Sequence, residues 1–221
     1  MGEDMDPIVA LLVIGNGRVD YLTDTIDAAF QHLPPMDHLL MIDDSGDPSV
    51  RRHLARTYPD FTIRHHDTNW GMARAVQDGF DAVLATDAEY AVWLEEDFRI
   101  LRPLPIRVAI DALTTHPHVA QILFQRQPLT PQEHEAGTVV GAMGDVVDHG
   151  LFSTQRHIFS LNPCVIPRRI LEYGWPAGPI GVGNETGMTH RLLTDGWHFG
   201  VWNTPHLVEH VGETRSVQWS L

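Results

Sequence analysis

Cysteine is nearly missing from this chain: Cys164 is the only one among 221 residues. A single thiol excludes an intramolecular disulfide and a multi-cysteine zinc site. It lies in the apolar run Phe159-Ser-Leu-Asn-Pro-Cys-Val-Ile, where a small buried thiol is the expected role rather than a nucleophile. Long hydrophobic stretches are missing too, and nothing approaches the roughly 20 apolar residues that a membrane-crossing helix needs. The short apolar run at 8–14 follows Glu3, Asp4 and Asp6, the wrong charge for the start of a secretory signal, so a cytoplasmic location is expected. Positive charge is scarce, with 15 Lys and Arg against 29 Asp and Glu and a formal net charge of −14. Proteins that grip nucleic acid through its phosphates usually show a basic face. The balance therefore disfavours tight duplex binding, although a local patch at Arg51, Arg52 and Arg56 survives it. Carboxylates gathered around a divalent cation would account for part of the acidity, and solvated surface for most of it.

The chain carries alternating strand and helix signals. Ile8-Val-Ala-Leu-Leu-Val-Ile is a continuous apolar run, the pattern of a strand covered on both faces. It ends at the turn signal Gly15-Asn-Gly17. Leu22, Ile26, Ala29, Phe30 and Leu33 follow at helical spacing and stop at Pro34-Pro35. A second strand, Leu39-Leu-Met-Ile, runs into Asp43-Asp-Ser-Gly-Asp, and Phe61-Thr-Ile-Arg reads as a third. Met72, Val76, Phe80, Val83 and Leu84 make one helical face before the strand Tyr90-Ala-Val-Trp-Leu, which delivers Glu95-Glu-Asp97 at its C-terminal end. Such alternation predicts a mostly parallel sheet, with ligands in the crevice outside the C-terminal strand ends. The polar clusters at 15–18, 43–47 and 95–97 all fall there. The second half is less regular. Val119-Ala-Gln-Ile-Leu-Phe suggests a strand, 127–150 a loop or excursion, 167–173 a short helix, and 184–195 a helix closed by Gly196. No repeat, low-complexity tract or linker divides the chain, which reads as one domain with its second half built on the first.

The acidic triplet is the sharpest chemical feature. Three carboxylates directly after a buried strand repel one another and need either full solvation or a cation. Mg²⁺ and Mn²⁺ prefer oxygen ligands and often take one or two carboxylates plus substrate phosphates. A carboxylate at Asp43 or Asp44 could accept a hydrogen bond from a nucleobase or a ribose hydroxyl, while the same Asp, Ser and Gly residues also make ordinary turns. In Asn69-Trp-Gly-Met-Ala-Arg74, Gly71 allows close backbone approach, the helix start favours an anion, and Arg74 could reach phosphate.

Taken in order, these motifs resemble the GT-A glycosyltransferases, and most nearly the broad family 2 class: a strand followed by Arg18, an Asp-Asp strand end, an Asn-x-Gly helix start and an acidic triplet after a hydrophobic strand. The resemblance covers most of the chain, and its weight lies in the order and spacing of short motifs. It implies an α/β GT-A fold, a mostly parallel central sheet flanked by helices. Residues 1–221 would form a single domain, about 1–100 binding the nucleotide sugar and about 101–221 the acceptor.

The likeness also implies roles. Asp97 matches the carboxylate that binds Mn²⁺ or Mg²⁺ on the donor diphosphate. Glu95 matches the first acidic position, where Asp is more common, and Glu96 lies between them. Asp43 or Asp44 matches the base-binding position; Arg18, Asn69 and Arg74 are further donor contacts. Glu185 in Gly183-Asn-Glu-Thr-Gly matches an acid that in inverting members removes the acceptor proton, while Thr186 stands where Asp is usual. His210, in the segment His210-Val-Gly-Glu-Thr-Arg-Ser216, matches a late His that can complete the metal shell. Trp175 is a candidate acceptor wall or a core residue, and Gly178–Gly183 a candidate cover over the donor.

The expected activity is thus metal-dependent, inverting transfer from a nucleotide-diphosphate sugar to an acceptor hydroxyl. The acceptor could be a glycan, protein, lipid, small molecule or modified nucleobase. A sugar-phosphate nucleotidyltransferase with Gly15-Asn-Gly-Arg18 as a thin phosphate loop, or a non-catalytic glycan-binding module on the same fold, are the alternatives.

Overall fold

The computed structural model describes residues 6–176 and 184–214. The proposed cover at 178–183 and the end of the 210–216 segment lie outside the described residues. The chain opens with β1 (Val9–Gly15), α1 (Val19–His32), β2 (His38–Asp43), α2 (Pro48–Thr57), β3 (Thr62–His65), α3 (Met72–Leu84) and β4 (Tyr90–Glu95). It continues through β5 (Phe98–Ile100), α4 (Ile106–Thr115), β6 (Val119–Leu123) and β7 (Arg126–Gln127). The excursion expected at 127–150 contains two short helices, α5 (Pro131–Glu135) and α6 (Val139–Ala142), and β8 (Val147–Asp148). Then follow β9 (Phe152–Gln155), β10 (Cys164–Pro167), α7 (Arg168–Leu171), α8 (Asn184–Thr194), β11 (His198–Trp202), β12 (Val208–His210) and a 3₁₀ turn at Val211–Thr214.

One nine-stranded sheet, in the order β3-β2-β1-β4-β10-β6-β11-β9-β8, carries both halves of the chain, and β5-β12-β7 form a small second sheet. β3, β2, β1 and β4 run parallel, as their alternation with helices requires. Beyond β4 the directions mix, and β11 runs parallel to β6. β10 inserts antiparallel between β4 and β6, and β9 lies antiparallel on β11. The sheet is therefore mixed.

Every residue of β1 is buried, which explains its unbroken apolar run. Alternate side chains enter two cores, Leu11 and Val13 on one face, Leu12 and Ile14 on the other. Leu12 pairs with Trp93 across the β1–β4 ladder, and both are wholly buried. Burial of each such side chain stabilises the fold by about 1.5–3 kcal/mol. Trp93 also meets Phe80 edge-on at 5.9 Å between centroids. Phe80 meets Trp175 in the same way at 5.8 Å, so Trp175 belongs to the core rather than to an open wall. On α1, Leu22, Ile26 and Ala29 face inward. Phe30, one step further round the helix, is 55% exposed against the sequence expectation and leans on Phe61. Asp47 is spent as a helix cap, its Oδ1 accepting from Ser49 N at 2.7 Å. Cys164 is buried as expected, and burial near Glu185 and Glu95 pushes its thiol far above the ordinary range.

Candidate functional site

Strand register assembles the site. Glu95 lies opposite Ile14, Gly15 opposite Asp43, and Asp43 opposite His65, so the C-terminal ends of four parallel strands finish in one row. A small crevice of about 40 Å³ opens there, with Asn16, Arg18, Asp44, Glu95 and Glu96 in its wall. That is room for a water or two. A larger cavity lies elsewhere, against Leu11, Phe30 and Pro34, and contains no titratable side chain.

The acidic triplet divides its labour. Glu96 turns inward and is 1% exposed. Its Oε2 accepts from the amides of Asn16 at 2.8 Å and Arg18 at 3.2 Å, and its Oε1 from Arg18 Nε at 2.6 Å. Glu96 thus ties the β1–α1 turn to β4, and both its oxygens are engaged within the protein. Burial raises its pKa, against the pull of Arg18. Asp97 holds Arg18 Nη2 at 2.8 Å on Oδ2, with His210 Nε2 3.4 Å from the same oxygen. Burial works against the charged form of Asp97, but His210 and Arg18 outweigh it and hold the carboxyl below its usual range. The Arg18 guanidinium itself is shifted up, because Glu96 and Asp97 overcome its own partial burial. Glu95 accepts no hydrogen bond on its side chain among the described residues. Burial, then repulsion from Asp97 and Glu185, pushes its carboxyl well above the ordinary range.

His210 reaches Asp97 through the small sheet. β12 pairs with β5 so that His210 lies opposite Phe98, their rings stacked at 4.6 Å. Val211 N donates to the carbonyl of Asp97 at 2.9 Å. Gly212 packs so tightly that an added Cβ would fall 2.1 Å from Asp97 Oδ2.

Asp97 Oδ1 offers a test of whether these residues suit a divalent cation. It is a buried carboxylate oxygen with no hydrogen-bond partner among the described residues, which is costly unless something charged completes it. With His210 alongside and Glu95 at the crevice, the donor set is the oxygen and imidazole mixture that Mn²⁺ accepts. Among the described residues no three His, Cys, Asp or Glu side chains form a ready-made metal cluster. A cation here would take its remaining ligands from phosphate and water, as Mg²⁺ and Mn²⁺ commonly do. On those terms the residues fit.

Asp43 and Asp44 occupy the neighbouring strand end, each 2% exposed. Asp43 accepts from Ser45 N at 3.0 Å and pairs with His65 Nδ1 at 2.9 Å. Asp44 accepts from His66 Nδ1 at 2.7 Å and from the amides of Trp70 and Gly71, both at 2.8 Å. Gly71 has φ +84° at the N-cap of α3, a left-handed conformation in which glycine is at ease. Asp44 therefore fixes the start of α3. Asn69 extends this loop across the crevice, donating from Nδ2 to Asn16 Oδ1. Arg74 points elsewhere: its Nε donates to Asp78 Oδ2 at 2.6 Å, and its guanidinium lies over the Trp70 ring.

His65 and His66 are the residues that sequence reading passed over. His66 bridges Asp44 and Asp78, its Nε2 3.0 Å from Asp78 Oδ2. The signal was available, since a His-His pair ending β3 must lie beside an Asp-Asp pair ending the parallel strand β2.

Glu185 enters from the other side, in the first turn of α8. Its Oε1 accepts from Leu161 N at 2.7 Å and Ser160 Oγ at 3.2 Å. Thr189 Oγ1 meanwhile accepts from Phe159 N at 2.9 Å. The segment before β10 is thereby buttoned to α8, and Oε2 of Glu185 has no hydrogen bond among the described residues. Burial raises the Glu185 pKa, partly offset by the Leu161 amide and the Ser160 hydroxyl. Its charge is felt at Glu95. Of the residues named from sequence, Arg18, Glu95, Glu96, Asp97 and His210 come together, Asp43, Asp44 and Asn69 border them, Glu185 is held on α8 by Leu161 and Ser160, and Arg74 is turned away.

Residues 13–159 match the sequence model of the family described as Glycosyl transferase family 2. A comparison with curated protein sequences gave no match. Among solved structures, the mannosyltransferase PcManGT from Pyrobaculum calidifontis, in complex with GDP-Man and Mn²⁺, superposes with a TM-score of 0.66 at 16% identity over 96% of this chain and 59% of its own. S. aureus TarS 1-349 in complex with UDP-GlcNAc gives 0.64 at 13% identity, over 93% of this chain and 61% of its own. GalNAc-T7 with UDP, GalNAc and Mn²⁺ gives 0.66 at 10% identity, over 92% and 43%. This chain spans about three fifths or less of each neighbour. At such identities the likeness establishes the fold, which is GT-A.

Proposed function

Given that the chain belongs to glycosyl transferase family 2, we propose that it is a metal-dependent, inverting glycosyltransferase, working in the cytoplasm on a nucleotide-diphosphate sugar. Its nucleotide-binding half would be about residues 1–100 and its acceptor half about 101–221. What supports the reading is one observation: Asp97, at the end of the row of parallel strands, keeps a buried carboxylate oxygen with no hydrogen-bond partner among the described residues, beside Arg18 and His210.

Asp97 and His210 would hold Mn²⁺ or Mg²⁺, with Glu95 at its edge, and the bound cation would supply charge neutralisation for the departing diphosphate. Arg18 has the reach and charge for a diphosphate oxygen. Asp43 and Asp44 line the side where the nucleoside would lie, and Asn16 and Asn69 must part to admit it, because the crevice is far smaller than a ligand-sized pocket of about 300 Å³ or more. Glu185 is the base. Leu161 N–H and Ser160 O–H fix its Oε1, leaving Oε2 for the acceptor hydroxyl. As the acceptor oxygen bonds to the anomeric carbon, its proton passes to Glu185, and the bond from that carbon to the diphosphate breaks on the opposite face. One displacement of this kind inverts the anomeric centre. The amides of Asn16 and Arg18, committed to Glu96, are not available as a triphosphate cradle, which disfavours a nucleotidyltransferase.

The testing experiment is a thermal-shift panel of UDP-, GDP- and dTDP-linked sugars, each with Mn²⁺, Mg²⁺ or EDTA. A donor at about 100 times its dissociation constant adds about 2.7 kcal/mol. At roughly 2–4 °C per kcal/mol for a domain of this size, the melting point rises by about 5–11 °C. Metal-dependent stabilisation by one nucleotide series is expected, and a flat panel would defeat the reading.

A further inference from the structure

Arg18 is placed where a competitor of the metal would be. Its Nη2 lies 2.8 Å from Asp97 Oδ2, and its Nε is anchored at 2.6 Å to buried Glu96. The chain at Arg18 is held as well, because its own amide donates to Glu96 Oε2. The guanidinium lies over the Tyr21 ring, 5.2 Å from its centroid. This cation is thus held by Glu96 and the Tyr21 ring against the carboxylate proposed to bind the metal. The side chain retains 32% exposure, so its far end can leave through the crevice.

We propose that Arg18 is the resident counter-ion of Asp97 in the donor-free protein, and that it excludes the divalent cation until a diphosphate arrives to draw it away. The inference rests on the reading of Asp97 as the metal ligand. The physical argument is competition for one carboxylate. A cation reaching the open Oδ1 of Asp97 meets a charge that Arg18 already neutralises through Oδ2 and lies beside the guanidinium tied to Glu96, and one that also takes Oδ2 must break a charge-assisted hydrogen bond. A diphosphate resolves both difficulties at once. It offers Arg18 new anionic oxygens of the kind a planar guanidinium suits, and it brings ligands of its own to the metal. Metal and nucleotide should therefore bind together, each weakly alone. A bare divalent cation could not then lodge on the three carboxylates of 95–97 and block the donor.

The prediction separates donor-free from nucleotide-bound metal affinity. It is read by electron paramagnetic resonance, titrating Mn²⁺ and following the free-ion signal without any turnover. Without nucleotide, Arg18→Gln is expected to bind Mn²⁺ about tenfold or more tightly than the unaltered protein, the scale of one charge-assisted hydrogen bond removed. Arg18→Met, which keeps an unbranched stem without the charge, should do the same, and Arg18→Lys, which keeps the charge, should stay near the unaltered protein. Adding Asp97→Asn to Arg18→Gln should abolish the gain. With UDP or GDP present, the advantage of Arg18→Gln should shrink or reverse. Equal Mn²⁺ affinity of Arg18→Gln, Arg18→Met and the unaltered protein without nucleotide would overturn the inference, while nucleotide-supported Mn²⁺ binding lost in Asp97→Asn would leave the metal reading intact. If Asp97→Asn binds Mn²⁺ as the unaltered protein does under all conditions, the metal reading falls and the inference with it.

Discussion

Replacing Asp44 separates a scaffold from a donor contact. The side chain is 2% exposed and accepts three hydrogen bonds, from His66 and from the Trp70 and Gly71 amides. Asp44→Ala strands all three donors around a void. Breaking a buried ionic arrangement by removing one partner costs about 3–5 kcal/mol. At roughly 2–4 °C per kcal/mol, the melting point should fall by about 6–20 °C. Asp44→Asn is the finer probe, because its amide oxygen can still accept from two donors while its NH₂ confronts the third. One buried donor left without a partner costs about 1–3 kcal/mol, so this variant should fall between the other two proteins. Thermal and urea melts, run beside a titration with the nucleotide sugar identified by the panel, give both answers. If Asp44→Ala melts within about 2 °C of the unaltered protein but loses donor binding, Asp44 contacts the nucleoside directly and the scaffold reasoning is wrong.

Four further outcomes follow from the same geometry. Glu185→Gln should keep donor binding and lose transfer by about 10²–10⁴-fold, measured as kcat against donor Kd; near-normal kcat removes Glu185 from the base role. Because burial lifts the Glu185 pKa, partly offset by Leu161 and Ser160, transfer should rise with pH through a midpoint above the ordinary carboxylate range. The folded state holds this proton more tightly than the unfolded chain does, so the stability it contributes is present at low pH and is lost as pH rises through the raised pKa. Glu185→Gln should accordingly melt no lower than the unaltered protein at pH 8. Gly212→Ala should push Asp97 aside and cost about 1–3 kcal/mol, with metal-dependent donor stabilisation lost in a thermal-shift assay; full retention would show that the turn at 211–214 yields.

The parallel half of the fold was plain in the sequence because its signals are local. Continuous apolar runs gave β1, β2 and β4, the spacing of Val76, Phe80 and Val83 gave the buried face of α3, and the acidic residues fell at strand ends. The second half hides its strands. β9 reads Phe-Ser-Thr-Gln, three of its residues polar and solvent-facing to the eye, yet all four are buried. β10 is four residues closed by a proline, too short to announce its direction. The site was legible as residue types but not as partnerships. That Glu96 serves the β1–α1 turn while Asp97 meets His210 depends on which way adjacent side chains turn, and the pairing of His65 and His66 with Asp43 and Asp44 depends on register. Ser160 meets Glu185 across 25 residues, which no local pattern reports.

The antiparallel ladder between β4 and β10 has a mechanical consequence. Cys164 to Pro167 pair with Trp93 back to Tyr90, so the strand ending in Glu95 is laced directly to the strand that the Glu185 buttons precede. Two lobes joined by a flexible linker could swing together on their substrates; lobes sewn into a common sheet cannot. Donor and acceptor must then be admitted by movements at the rim, of the turns carrying Asn16 and Asn69, over a floor that stays still. In hydrogen exchange, the amides of Val92 and Val165 should be among the last to trade their protons, while that of Asn69 is among the first.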